Sequence, residues 1–354
     1  MTEHLGFPIE TVAVFVVLSV GAILIDLFAH KDEKPMTLKS ATLWSLFWVA
    51  VSIAFGGYLW FHHGSEMASL YFTGYALEKV LSVDNLFLMM AVFASFKIPE
   101  GLRHRVLYWG IIGAIVFRII FVAIGTGLLA LGAYVELIFA AIIAFAAVMI
   151  LKGGDDNDDE NVDYSEHFAY KLVHKFFPVF PRLYGHNFFL NADELAKAKA
   201  EFPDAHLELA GEDVKHPEES HPQPMKKGAL VATPLFLCLA VIELSDVMFA
   251  FDSVPAVIAV SKEPLIVYSA MMFAILGLRT MYFVLEALKG LLVHLEKAVV
   301  FLLFFIAFKL ALAATNHLFH HGWEISANAS LVVVLVVLAT GVLASFVFPE
   351  KKES

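Results

Sequence analysis

One cysteine in 354 residues, Cys238, leaves no internal disulfide and no cysteine-rich metal site. Small-residue packing accounts for it. Charge is scarce too: Asp, Glu, Lys and Arg make up 17% of the chain. A soluble domain of this length cannot bury the apolar remainder, 59% of residues with a mean hydropathy of +0.75, so the composition indicates a membrane protein. A basic stretch ahead of the first apolar run is also missing, since Met1 to Glu10 hold neither Lys nor Arg. The first run is therefore expected to be a true span, not a cleaved leader. Positive charge is in deficit overall, with a net charge of −11, which argues against a nucleic-acid partner. No nucleophile–base pairing and no phosphate loop stands out, so an enzyme is not expected.

What is abundant is long apolar runs. Nine are long enough to cross about 30 Å of hydrocarbon: roughly 9–29, 40–61, 68–95, 105–130, 132–151, 229–260, 265–288, 294–315 and 328–348. The loops between them test the count. Lys31, Lys34 and Lys39 follow span one, and Lys97, Arg103 and Arg105 follow span three. Nine Lys and Arg follow span five, Lys289 and Lys297 flank the seventh-to-eighth turn, and Lys351 and Lys352 close the chain. The alternate loops hold Lys262 alone. Basic loops at every second position place the N-terminus outside and the C-terminus in the cytoplasm. The expected architecture is an all-α polytopic membrane protein.

The polar stretch 152–227 is then cytoplasmic. Its acidic run, Asp155 to Glu160, has oxygen residues at 155, 157, 159, 161 and 163 and Glu166 beyond them. The spacing resembles an EF-hand, but Glu160 stands where the turn needs glycine, and a solvated linker is the plainer reading. From His167 to Pro181, Phe168, Leu172, Phe176 and Phe177 can share a helical face opposite Lys171 and Lys175, as in a helix lying on the inner membrane surface. Residues from about 190 to 226, with Pro203, Pro217, Pro222 and Pro224, read as a flexible linker.

Two acidic segments echo each other inside the apolar runs. Span three carries Glu78-Lys-Val-Leu-Ser-Val-Asp84-Asn85, and span six carries Asp246-Val-Met-Phe-Ala-Phe-Asp252-Ser253. Gly110 and Gly113 lead to Arg118 in span four, as Gly277 leads to Arg279 in span seven. Spans three and six run in opposite directions, so spans 3–5 and 6–8 read as an inverted-topology repeat of two three-helix units, typical of secondary transporters. The chain divides accordingly into two leading helices (1–67), repeat one (68–151), the cytoplasmic loop (152–227), repeat two (228–315) and a last helix with its tail (316–354).

Five acids at mid-span, Glu78, Asp84, Glu243, Asp246 and Asp252, cost about 12–17 kcal/mol on insertion scales and need a cation, a proton or a base as partner. Arg118 and Arg279 are candidate charge partners, with Lys79 and Lys309 the other bases in apolar runs. Internal ion pairing alone is the plainer alternative. Glu243 and Asp246 share a face, whereas positions six apart lie about 240° apart on a regular helix. Either the helix unwinds between them, which Pro255 favours, or the acids face different ways. Asn85, Ser245 and Ser253 add amide and hydroxyl oxygens as supporting ligands, and Asp26, at the inner end of span one, is an acid that backs the ligands or an interfacial residue. A ligand set without thiolate or imidazole suits Mn²⁺, Ca²⁺ or Mg²⁺ over Cu or Zn. Met248, Met271 and Met272 read as packing, and His62, His63, His317, His320 and His321 as loop histidines or outer cation collectors.

The segments Glu78–Leu86 and Glu243–Ala256, together with Leu276–Phe283 (LGLRTMYF), closely resemble the signatures of the tellurium-resistance TerC family of bacterial membrane proteins. The resemblance covers nearly the whole chain and is weakest over 190–226. It implies a bacterial inner-membrane protein of metal-ion homeostasis with relatives that export manganese, grouped with cation-exchange carriers. The family's motif acids map onto Glu78, Asp84, Glu243, Asp246 and Asp252, all present. The expected function is export of Mn²⁺, with Ca²⁺ as the other candidate, in exchange for protons. Direct export of the tellurite anion suits an acidic site poorly. The alternatives are a membrane scaffold that gathers soluble stress proteins on the cytoplasmic loop, and a metallation factor for exported enzymes.

Overall fold

The structure is a computed structural model that describes residues 3–4, 7–29, 36–153, 168–203, 205, 207, 230–287 and 295–347. A strand pair, β1 (Glu3–His4) and β2 (Phe7–Pro8), precedes α1 (Ile9–Ala29), α2 (Leu38–Ser95), α3 (Glu100–Leu129) and α4 (Ala133–Gly153). Then come α5 (Phe168–Phe176), β3 (Phe189–Leu190), α6 (Ala192–Glu201) and β4 (Val231–Ala232). The chain continues through α7 (Pro234–Val260), α8 (Pro264–Ile275), α9 (Leu278–Ala287), α10 (Leu295–Phe319) and α11 (Ala327–Val347). Among the described residues, six helices are long and apolar enough to cross a membrane, or seven if the pair α8–α9, bent by 49°, is one span. The all-α membrane architecture read from the sequence is what folds.

The chain forms two compact units. The first comprises Met1–Phe87, Ile111–Asp158 and Val247–Ser354, and the second Leu88–Gly110 and Asp159–Asp246. In the first unit, α2 is far longer than a membrane needs: 58 residues at 1.5 Å each span about 87 Å. It doubles back at Gly64, whose φ of 87° and ψ of 174° are open to glycine and costly for other residues. The two arms pack directly. Phe55 meets Tyr71 edge-on at 5.3 Å, and the Tyr71 hydroxyl donates to the carbonyl of Ser52 at 3.0 Å. Gly56 lies under the Phe72 ring, which a Cβ at that position would enter at 2.2 Å. Phe273 of α8 stacks on Phe55 at 4.9 Å and meets Tyr71 edge-on at 6.3 Å, in a core that also holds buried Trp48. Large apolar side chains on α1 and α11, such as Val17, Leu24, Val332 and Leu343, stay exposed. In a bilayer that exposure is lipid contact.

The expected unwinding next to Asp84 and Asp252 is not there. The only non-helical dihedral inside α2 is at Gly64, and α7 runs as one helix through Pro255. A proline removes one hydrogen bond, which a membrane helix accommodates. The break falls instead between α8 and α9, where Gly277 has a φ of 73°. The two glycine echoes therefore differ in kind, because α3 stays helical through Gly110 and Gly113.

The second unit corrects the linker reading of 190–226 over residues 190–203, while 208–226 lies outside the described residues. There β3 pairs antiparallel with β4, Phe189 opposite Ala232 and Leu190 opposite Val231. Helix α6 begins on a capping box: Asn191 accepts from the amide of Glu194 at 2.9 Å, and the Glu194 carboxylate accepts from the amide of Asn191 at 3.0 Å. Leu195 and Ala198 of α6 close a small core with Phe180, Leu190 and Val231. Asn191→Ala is expected to cost about 0.5–2 kcal/mol locally. Hydrogen exchange should then quicken at the first amides of α6 and leave α7 unchanged; equal protection in both proteins would refute the cap's role.

On α5 the expected faces are also rearranged. Val173 and His174 are the buried positions, while Phe176 stays 66% exposed beside Lys171 and Lys175. Val173 packs with Val179, Ala232 and Leu237, and Phe177 joins Phe189 and Phe236. The side chain of Phe168, the acidic run 155–166 and the prolines 217, 222 and 224 lie outside the described residues.

Candidate cation site

In the first unit two of the described acids in apolar helices, Glu78 and Asp26, are met by arginines. Glu78, fully buried on the second arm of α2, forms an ion pair with Arg118 of α3, itself 2% exposed. The Ser82 hydroxyl donates to the Glu78 carbonyl at 2.7 Å, as hydroxyls one turn along a helix do. On α1, Asp26 is met by Arg279 of α9, which donates to the Asp26 carbonyl and lies 3.8 Å from its Oδ2. Lys79 turns away from its neighbour Glu78 and donates to the carbonyls of Ala274 and Leu276, each at 3.0 Å. Arg118 thus pairs with the motif acid Glu78, and Arg279 meets Asp26. Lys309 donates to the carbonyl of Val260 at 3.4 Å.

Asn85 and Ser253 are buried in the same unit, and the Ser253 hydroxyl has no hydrogen-bond partner among the described residues. Positions 78 and 84 sit about 240° apart on a regular stretch of α2, so they address different surroundings. The side chains of Asp84 and Asp252 lie outside the described residues.

In the second unit, Glu243 and Asp246 stand three residues apart on α7 and share one face. Asp246 and Ser245 are buried, Glu243 half-buried. Oε2 of Glu243 is buried without a hydrogen-bond partner among the described residues. Adjacent carboxylates on an apolar helix repel each other unless a cation or a proton lies between them. Among the described residues no group of three or more His, Cys, Asp or Glu is placed to hold a metal ion.

One pairing was missed in the sequence. Glu136, in the first turn of α4, is buried and accepts from Lys262 at 2.5 Å, with His317 Nδ1 3.6 Å away. The signal was available, since Lys262 is the lone basic residue of the alternate loops and a buried acid needs a partner. The other loop histidines are engaged locally. His63 bonds Thr11 at 2.8 Å, and His62 stacks on Tyr58 at 4.3 Å. His320 contacts the carbonyl of Asn316, and His321 contacts Thr315. Met271 and Met272 are core residues and Met248 is exposed, so they form no thioether path in the fold.

Comparison with known proteins adds a lineage to this geometry. Residues 63–353 match the profile of the Integral membrane protein TerC family. A tellurium resistance protein TerC of Serratia marcescens is 65% identical over all of this chain and 98% of its own length. One of an Alcaligenes species is 66% identical over the same shares. A chloroplastic thylakoid membrane protein TERC of Arabidopsis thaliana is 36% identical over 84% of this chain and 66% of its own length. No solved structure matches the chain.

Proposed function

The chain belongs to the TerC family of integral membrane proteins, and on that premise we propose that it exports Mn²⁺, or a similar hard divalent cation such as Ca²⁺, in exchange for protons. The observation that carries the proposal is the Glu243–Asp246 face of α7, where a buried carboxylate oxygen has no hydrogen-bond partner among the described residues. A carboxylate in that position holds a cation or a proton in turn, which is the exchange a coupled carrier needs. In the second unit Ser245 accompanies that face as a supporting ligand, and in the first unit the proposal counts Asp84 and Asp252 as motif acids with Asn85 and Ser253 beside them. Glu78, held by Arg118, joins the ligand set only if it exchanges that partner for the cation. The names of the 65% and 66% identical relatives support a part in tellurium resistance. An acid-lined path favours a metal cation over the tellurite anion as the cargo, and a carrier over an enzyme.

The topology proposed with this function has nine crossings: α1, the two arms of α2, α3, α4, α7, the bent pair α8–α9, α10 and α11. It retains the inverted repeat of spans 3–5 and 6–8, the bacterial inner membrane, and an N-terminus outside with the C-terminus in the cytoplasm. Lys171, Lys175 and the exposed ring of Phe176 suit α5 to the inner membrane surface. Asp84→Asn and Asp252→Asn are each expected to abolish cation export, read as Mn²⁺ accumulation in loaded cells. Export that survives in both variants would overturn the proposal.

A second reading, a membrane scaffold for soluble stress proteins or for metallating exported enzymes, draws on the small core that α6, β3 and β4 form. Deleting 208–226 spares those elements. A scaffold should lose tellurite resistance on that deletion while a carrier keeps export.

A further inference from the structure

Helix α8 stops at Ile275, Leu276 is extended with a ψ of 130°, and Gly277 turns the chain into α9. Such a stop leaves the last carbonyls of α8 without amide partners. They also mark the negative end of the helix dipole. In carriers with broken helices, carbonyls of this kind coordinate a small coupling cation. Here they are taken by a side chain: the Lys79 ammonium bonds the carbonyls of Ala274 and Leu276, both at 3.0 Å.

The surroundings are those of a cation site as well. Asp26, 3% exposed, has one carboxylate oxygen, Oδ1, without a hydrogen-bond partner among the described residues. Asp26 and Leu276 line the same cavity of about 10 Å³, closed by apolar side chains that include Ile23, Ile115 and Met272. That is room for about one water-sized sphere. Arg279 lies against Asp26 from the far side of the break, 3.8 Å from Oδ2, and the Lys79 ammonium is near enough for its charge to act on the same carboxylate. Simple capping of a helix end needs neither a buried carboxylate nor a void beside it.

We propose that the break between α8 and α9 is an alkali-cation site that Lys79 fills as a tethered cation. The native protein then works without Na⁺ or K⁺ at this place. Removing the ammonium exposes two carbonyls and the Asp26 carboxylate to a free alkali ion, which restores the missing charge. The inference concerns binding at the break and stands whether or not the protein exports a divalent metal.

The test is thermal unfolding of the purified full-length protein in NaCl, KCl and choline chloride at equal ionic strength. The native midpoint should be the same in all three. Lys79→Ala should unfold earlier in choline and recover by at least about 3 °C in Na⁺ or K⁺, saturably with concentration. Adding Asp26→Asn should remove that recovery. If Lys79→Ala yields no folded protein, Lys79→Gln, which keeps a donor of similar length, is read in the same way. A native midpoint that depends on Na⁺ or K⁺ overturns the proposal, and so does a Lys79 variant whose midpoint ignores the salt.

Discussion

Arg118→Met should cost about 3–5 kcal/mol of stability, among the largest losses available to a single substitution in this chain. The expected size follows from where the charge is left. Glu78 is fully buried and its ion-pair partner is Arg118. Removing the arginine strands a carboxylate among apolar side chains, where no water reaches it. The pair itself contributes far less than its rupture costs, because both ions lost hydration to form it. Glu78→Leu combined with Arg118→Met should therefore recover most of the loss. The denaturant midpoint of the purified protein reads both steps. A single variant within 1 kcal/mol of the native protein would contradict the pairing. The double variant also separates roles: if it folds but no longer exports Mn²⁺, Glu78 has a part in transport beyond its ion pair.

Gly277→Ala should cost about 2–5 kcal/mol, from two separable sources. The backbone there has a φ of 73°, which a side chain disfavours. A Cβ would also meet the Trp48 ring, 2.6 Å from its Cδ1. Trp48 is buried and belongs to the aromatic core of the first unit, so it has nowhere to move. Measured in a Trp48→Ala background, which removes Cγ and Cδ1 and leaves only the Cβ 3.2 Å away, the Gly277→Ala penalty should fall toward the backbone part, about 1–2 kcal/mol. Gly21→Ala provides the control. Nothing lies within 4 Å of its would-be Cβ, and alanine there should be neutral or stabilising. Equal penalties at Gly277 with and without Trp48 would show that the ring is not the obstacle.

A multi-spanning helical membrane protein was legible in the apolar runs, and among the described residues six helices, or seven with the bent pair α8–α9, are long and apolar enough to cross. The sharp reversal of α2 was legible only as a polar gap at His62 to Glu66. In the fold one residue, Gly64, makes the turn and helix continues on both sides. The break site was misplaced because Pro255 and Gly277 are both breakers by composition. A proline only withholds one hydrogen bond, whereas a glycine at positive φ redirects the chain. Helix α6 was hidden by nearby prolines although Asn191 and Glu194 spell its start. Which base would meet which acid was beyond the sequence. Arg279 follows a motif glycine just as Arg118 does, yet it reaches back to Asp26 on the first helix. That choice is made by how helices distant in the chain come to lie side by side.

The buried pairs also set a timetable for biosynthesis. Glu78 waits for Arg118 through 118 − 78 = 40 residues, about 2–8 s at 5–20 residues per second. Asp26 is 253 residues from Arg279, an interval of roughly 13–50 s. Helix α1 therefore enters the membrane long before the guanidinium that will meet its carboxylate has been made. During that time the Asp26 carboxylate is without the arginine that meets it in the finished fold. Asp26→Asn should then ease insertion of the first helix while weakening the finished protein, an opposition between assembly and stability built into one side chain.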